Sequence, residues 1–317
     1  MKAEEIPNGV WPVMLTPFAG EGRIDLQGLE KLIDWYISQG VHGLFSACLS
    51  SESLEMDDAG KLLLVKHVVE YVDGRVPVIA GVMGVVDRER RIDMAQEVVG
   101  FGAKAAVLTL CDIVPQAASD EAWIAEMEKH LQGLYGVPLG LYECPLPHHR
   151  MLTPKLTDYV ARRPGFLFLK ETSGELDEME RKSRTGASSG LKVFSADALS
   201  IKEALHRGIN GFSGLQTNLW PALHVKLFEC WQTDPGLADR LQRFFVEYDW
   251  AVSRSYPASA KRYLKTAYGL DIKSLSFLNG ASVGQSDQEW IDDLTESVGK
   301  LERELNGQSR ISMAANV

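Results

Sequence analysis

The sequence predicts a (β/α)8 barrel followed by a C-terminal helical extension, on three observations. Short apolar runs alternate with segments of helical period eight times over, the signature of repeated βα units around a parallel sheet. Those units fill about 210 to 220 residues, close to the usual size of a closed barrel. Past residue 219 the strand signals stop and only helical periods remain.

The first strand, 10–15, runs into Met14-Leu15-Thr16-Pro17-Phe18-Ala19-Gly20. An open doubly wound sheet, the rival architecture, would usually place a glycine-rich dinucleotide turn there, and this segment is not one. An amphipathic helix at 26–38 completes the first unit. Strand 43–47 is followed by helix 59–72, strand 76–82 by helix 88–99, strand 105–110 by helix 120–134, and strand 139–143 by helix 154–161. The sixth strand, 166–170, opens on four consecutive large apolar residues, which suit a strand buried on both faces. Strand 193–196 leads to helix 201–207, and 211–215 is the eighth strand. In the extension, 219–232, 237–252, 259–268 and 288–305 read as helices; Pro221 suits a first turn, Pro235-Gly236 a break and Gly269 a helix end. The barrel is therefore assigned to 1–218 and the extension to 219–305, with 306–317 a polar, small-residue tail expected to fray.

With 317 residues, 45% hydrophobic and 24% charged, the chain can bury a large core. Thirty-three Lys and Arg stand against 43 Asp and Glu, for a net charge of −10. No basic run suits a phosphate backbone, so nucleic acid is not an expected partner. The N-terminal segment Met1-Lys2-Ala3-Glu4-Glu5-Ile6-Pro7 lacks a signal peptide's apolar core, and no apolar stretch approaches the ~18 residues of a membrane span. A cytoplasmic protein with no membrane partner is the expectation. Cys48, Cys111, Cys144 and Cys230 are scattered without CxxC spacing, signalling neither a disulfide framework nor a structural zinc site.

The chemistry is read from Phe166-Leu167-Phe168-Leu169-Lys170-Glu171-Thr172-Ser173-Gly174. An apolar strand ends on a lysine at the end where α/β folds place their sites. Desolvation there lowers a lysine's pKa, and a neutral amine attacks a ketone or aldehyde to form a Schiff base. The plainer reading is a strand-end lysine paired with an acid.

Several segments, in order, resemble the dihydrodipicolinate synthase and N-acetylneuraminate lyase family of class I aldolases. They are Leu15-Thr16-Pro17-Phe18 with Gly22-Arg23-Ile24-Asp25, Pro77-Val78-Ile79-Ala80-Gly81, Leu141-Tyr142-Glu143-Cys144-Pro145, Lys170-Glu171-Thr172-Ser173-Gly174, the stretch 208–218, and Pro257-Ala258-Ser259-Ala260-Lys261. Tyr142 stands 28 residues before Lys170. The resemblance implies a (β/α)8 barrel in which Lys170 forms the imine with pyruvate or a related 2-keto acid and Tyr142, the YxxP tyrosine, shuttles protons. It places Cys48-Leu49-Ser50-Ser51-Glu52-Ser53 at the family's GTTGE loop, so Ser50 and Ser51 are expected to bind the keto acid's carboxylate; local helix capping by Ser51 or Ser53 with Asp57 is the plainer alternative. Gly214 is a further expected substrate contact. Where the synthases carry a tyrosine pair, one of which reaches a neighbouring subunit's site, this chain has Cys111 and Asp112. Pro147 stands at the synthases' arginine, with Arg150 three residues on; Arg150, with His148 and His149, is expected to read an acidic or hydroxylated tail.

The expected function is thus a Schiff-base lyase or aldolase that makes or breaks a carbon–carbon bond beside a pyruvate-like 2-keto acid, with an aldehyde or sugar acid as second substrate. The alternatives are a 2-keto-3-deoxy sugar-acid dehydratase or hydratase on the same imine, and a binding or regulatory barrel without turnover. No cofactor is expected. Metal is not expected either, although Cys48, Cys111 and Cys144 all fall just past predicted strand ends, with His148 and His149 close by. The family implies a homo-oligomer, dimer or tetramer.

Overall fold

Eight short parallel strands, most of them buried on both faces, make one sheet in the computed structural model, which describes residues 6–277 and 285–314, with side chains for 6–277 and 287–305. They are β1 (Gly9–Val10), β4 (Leu44–Ser46), β5 (Val78–Val82), β6 (Ala106–Thr109), β7 (Leu139–Tyr142), β8 (Phe166–Glu171), β9 (Lys192–Ser195) and β10 (Gly211–Phe212). All eight expected strands are present. The spatial order is β1-β10-β9-β8-β7-β6-β5-β4, the sequential right-handed winding that βα repeats impose. Beyond β1 the chain pairs with β4: Val13 bridges Phe45 in parallel, and Phe45 N–H donates to Pro12 O at 2.9 Å while Met14 N–H donates to Phe45 O at 2.9 Å. The sheet therefore closes on itself. A small hairpin, β2 (Phe18–Gly20) with β3 (Arg23–Ile24), lies between the first strand and the first helix. Two- and three-residue strands carry too little alternation to be read from sequence.

The helices expected between strands are found at Leu26–Ser38, Asp58–Val72, Arg88–Gly100, Asp120–Gly133, Pro154–Ala161 and Ile201–His206. Side-chain caps start most of them: Asp25, Asp57, Asp87, Ser119 and Thr153 each accept a hydrogen bond from a first-turn N–H. One further helix, Leu176–Gly186, links β8 to β9; it buries Met179, Lys182, Ser183 and Gly186, so no apolar stripe announces it. The helix Pro221–Cys230 packs against β1, so the ring of strand and helix pairs runs to Cys230. Helices Pro235–Glu247, Ala258–Tyr268 and Gln285–Ala314 follow, the last two packed together. Helical backbone thus continues through residues 306–314 of the expected tail; 315–317 lie outside the described residues.

Inside the barrel, Trp11, Phe168 and Phe194 form an aromatic plug, with Phe168 and Phe194 stacked at 4.6 Å between centroids. The interior is a packed core, leaving chemistry to the rim at the strands' C-terminal ends. Among the described residues no helix is long and apolar enough to cross a membrane.

Candidate active site

Lys170 sits one residue from the end of β8, in register with Tyr142 at the end of β7. Side chains alternate across a strand, so both point into the barrel while Glu143 and Glu171 point out towards the helices. Lys170 is 3% exposed, and its Nζ lies 4.5 Å from the centre of the Tyr142 ring and 6.0 Å from that of Phe45. No carboxylate pairs with it among the described residues. Burial therefore dominates and brings its pKa from 10.5 down to about 8, against a smaller opposite pull from the Cys48 and Cys144 thiols. Tyr142 is 4% exposed; burial, then Cys144 and Cys48, push its phenol well above the usual tyrosine range.

Behind this pair lies a fully buried triad. Lys182 Nζ is 2.7 Å from Glu143 Oε1 and 2.7 Å from Glu171 Oε1, with all three side chains at 0% exposure. Glu143 also accepts from Leu152 N–H at 2.8 Å and Thr172 N–H at 3.0 Å. Burial raises Glu143's pKa, with Lys182 opposing. The residues following Tyr142 and Lys170 are thereby clamped to one ammonium, which holds the two strand ends together.

The loop at 48–53 is one turn of 3-10 helix, Leu49–Ser51. Ser51 Oγ donates to Met14 O at 2.7 Å and accepts from Cys48 N–H at 3.2 Å, so it fastens the loop to the first strand. Ser50 Oγ is buried without a hydrogen-bond partner. Glu52, in the left-handed region at φ 60°, accepts from Lys261 Nζ at 2.8 Å, Phe277 N–H at 2.6 Å and the Ser276 hydroxyl. Lys261 also donates to Leu275 O at 2.6 Å and lies 4.6 Å from the centre of the Phe18 ring. The loop is thus tied to the C-terminal extension.

A hydrogen-bonded chain reaches the same place. Leu15 N–H donates to the Tyr36 hydroxyl at 3.4 Å, and that hydroxyl donates to Asn218 Oδ1. Asn218 Nδ2 donates to Val13 O at 2.8 Å and to the Tyr256 hydroxyl at 2.7 Å. The Tyr256 phenol lies beside Ser50 and Cys48, and burial raises its pKa.

A profile of the "Dihydrodipicolinate synthetase family" matches residues 6–274. The chain belongs to this family. The 4-hydroxy-tetrahydrodipicolinate synthases of Cellvibrio japonicus (strain Ueda107) and Methanoculleus marisnigri (strain ATCC 35101 / DSM 1498 / JR1) are each 27% identical to it, over 70% and 71% of this chain and 74% and 76% of theirs. In fold it is similar to a monomeric dihydrodipicolinate synthase variant (TM-score 0.83, 19% identity, 94% of this chain and 99% of that one). It is also similar to an E. coli K12 prophage protein of the dihydrodipicolinic acid synthase family, solved in complex with pyruvate (TM-score 0.82, 21% identity, 92% and 98%).

The remaining expected site residues of this dihydrodipicolinate synthetase family member divide by what holds them. Gly214 opens the turn after β10, where an added Cβ would come within 2.4 Å of the Phe212 ring and 2.5 Å of Ala196 O; close packing accounts for the glycine. Arg150 donates to Ala118 O at 3.0 Å and lies 3.5 Å from Asp120, so a substrate tail would have to compete for it. His149 Nε2 is 2.8 Å from Thr172 Oγ1, and His148 Nε2 is buried without a partner. Cys111 donates to Leu146 O at 3.1 Å, and Asp112 accepts from Gly84 N–H at 2.7 Å and from the Thr109 hydroxyl. The Cys111 thiol beside it holds Cys144 below the ordinary thiol range, and Cys111 itself is raised. Among the described residues no three His, Cys, Asp or Glu side chains are arranged to hold a metal ion. Tyr256, Asn218 and Tyr36 were not among the expected site residues. The one available signal was position: Asn218 ends the family-like stretch 208–218, and Tyr256 immediately precedes Pro257-Ala258-Ser259-Ala260-Lys261.

Proposed function

We propose that this protein is a class I aldolase or lyase that captures pyruvate or a related 2-keto acid as an imine on Lys170 and makes or breaks the adjacent carbon–carbon bond. The observation that carries the reading is the lysine itself: buried, unpaired among the described residues, and set against a phenol. With a pKa of about 8, roughly a tenth of the amine is neutral at pH 7, against fewer than about one in a thousand for an ordinary lysine. The neutral amine adds to the keto carbon, the carbinolamine loses water, and the protonated imine accepts the electron pair released by bond cleavage. Tyr142 is within reach to move the protons these steps require. The unpartnered Ser50 hydroxyl and the N–H groups of its turn offer the carboxylate a donor set; Ser51 shapes that turn, and Gly214 and Arg150 are proposed as further substrate contacts. The pyruvate bound in the E. coli relative supports a pyruvate-like substrate. An aldehyde or sugar acid is proposed as the second substrate, and a cytoplasmic homo-oligomer, dimer or tetramer, as the working form.

Dehydration of a 2-keto-3-deoxy sugar acid is the second reading, since the same imine serves it. Incubation with pyruvate and borohydride followed by peptide mass mapping tests both: a reduced adduct at Lys170 is expected. No adduct there with any 2-keto acid would favour a barrel without turnover. Product analysis then separates cleavage, which releases pyruvate, from dehydration, which does not.

A further inference from the structure

We propose that Cys111 and Cys144 are an oxidation-sensitive pair, which hydrogen peroxide joins in a reversible disulfide at the barrel rim, and that this bond slows imine formation at Lys170; the second half rests on the imine reading above. Strand pairing places the two thiols. β6 and β7 are neighbours in the sheet and run in register from Ala106 with Leu139 to Thr109 with Tyr142. Two residues past that last pair, each chain carries a cysteine. Neighbouring strands lie about 4.8 Å apart, inside the span of roughly 4.4–6.8 Å between Cα atoms that a disulfide bridges. Cys111 has entered a turn of 3-10 helix, yet its thiol still crosses to the continuation of β7: Sγ donates to Leu146 O at 3.1 Å, two residues beyond Cys144. Both cysteines belong to the contiguous inward cluster that holds Tyr142, and both are buried.

Topology selects this pair from the four free thiols. Cys48 follows β4, which β5 separates from β6, and its sulfur lies 3.5 Å from Ser51 Oγ and 3.9 Å from Met14 O. Cys230 lies on the outer helix Pro221–Cys230. The chosen pair is also chemically asymmetric. The Cys111 thiol holds Cys144 below the ordinary thiol range, while that same contact and burial push Cys111 up. Cys144 is therefore the thiolate that reacts first, and Cys111 resolves.

In the first step the Cys144 sulfur attacks one peroxide oxygen. The S–O bond forms, the O–O bond breaks, and the departing hydroxide takes the proton Cys144 has released, leaving water and a sulfenic acid. In the second the Cys111 sulfur attacks the Cys144 sulfur: S–S forms, S–O breaks, and hydroxide leaves with the Cys111 proton as a second water. Two thiols are oxidised by two electrons and one peroxide is reduced to two waters. Thiol reductants reverse the bond by exchange. Closing it draws the sulfurs to about 2.05 Å and takes from Leu146 O the hydrogen that Cys111 gives it. Cys144 stands two residues from Tyr142 on the same inward face, so the strain falls on the phenol beside Lys170.

Peroxide treatment followed by non-reducing peptide mass mapping reads the bond, and cyanoborohydride, which spares disulfides, reads the rate of pyruvate trapping at Lys170. A Cys111–Cys144 cross-linked peptide is expected, with trapping slowed about 10- to 100-fold and restored by dithiothreitol. Cys111→Ser keeps a donor for Leu146 O but cannot close the bond; its Cys144 is expected to stop at the sulfenic acid, which dimedone labels. Wild-type thiols that stay free under peroxide, or a link from Cys144 to Cys48, overturn the pair. The expected cross-link with trapping within about twofold of the reduced protein overturns its control of the site, since a shift at Tyr142 must cost rate. No Lys170 adduct even before oxidation overturns the imine reading and the second half of the proposal, while the cross-link still decides the first.

Discussion

At the scale of single residues, a buried amine without a counter-charge weakens the fold in exchange for reactivity. The Lys170 amine titrates near 8 when folded and near 10.5 when unfolded. Below pH 8 both states are protonated, and folding carries the full cost of burying the ammonium. Between 8 and 10.5 the unfolded chain alone keeps the proton, so stability rises with pH, and above 10.5 the cost is gone. Lys170→Met is therefore expected to stabilise the protein at pH 7 by on the order of 3 kcal/mol, a gain that shrinks towards zero as pH climbs to 10.5. Urea unfolding of both proteins at pH 7, 9 and 10.5 measures this; a pH-independent difference would show that the amine is not desolvated. The neighbouring triad follows the opposite logic. Glu143 and Glu171 are as buried as Lys170, but they share Lys182, and a buried charge is tolerable when it is paired and hydrogen-bonded.

At the scale of elements, the turn at 48–53 is positioned by residues more than 200 positions away. Glu52 meets Lys261, Ser276 and Phe277, all from the C-terminal extension or the segment after it. Lys261→Met leaves that carboxylate buried with its charge uncompensated, which costs about 3–5 kcal/mol. It also frees the turn that carries Ser50. The expected outcome is a lower urea midpoint together with a higher pyruvate concentration for half-maximal borohydride trapping. Loss of stability with unchanged pyruvate dependence would mean that the ion pair braces the extension without setting the turn.

At the scale of the whole molecule, every residue in the proposed chemistry comes from one chain: Lys170 and Tyr142 from adjacent strands, and Ser50 from the turn after β4. Co-expression of differently tagged Lys170→Met and Tyr142→Phe chains, purified as mixed assemblies, is accordingly expected to trap pyruvate no faster than the Tyr142→Phe chain alone. Faster trapping would show that a phenol crosses between subunits.

The strand count and the position of Lys170 were legible because each strand of a closed barrel is a local run of apolar residues, and the last residue of such a run faces the rim whatever surrounds it. The helix Leu176–Gly186 escaped because it is mostly polar and buries lysine and serine beside a single methionine. The hairpin of β2 and β3 escaped because five residues set no period. Ser50 and Ser51 looked equivalent, and only the contacts separate them: one hydroxyl is bound to Met14 O, and the other has no partner. Arg150 looked available until Ala118 O and Asp120 were found to hold it.

What the sequence by itself determined is the repeating architecture and the lysine at the end of an apolar strand, since both rest on periodicity; that Tyr142 belongs beside it was implied by the family resemblance. What only the tertiary structure decided is which polar groups share the cleft with that pair. Tyr36, Asn218 and Tyr256 are joined by hydrogen bonds across 182 and 38 residues of chain, and Glu52 and Lys261 by an ion pair across 209. No local pattern encodes such contacts: they arise when the sheet closes and the extension folds over its rim, where each buried donor must find an acceptor.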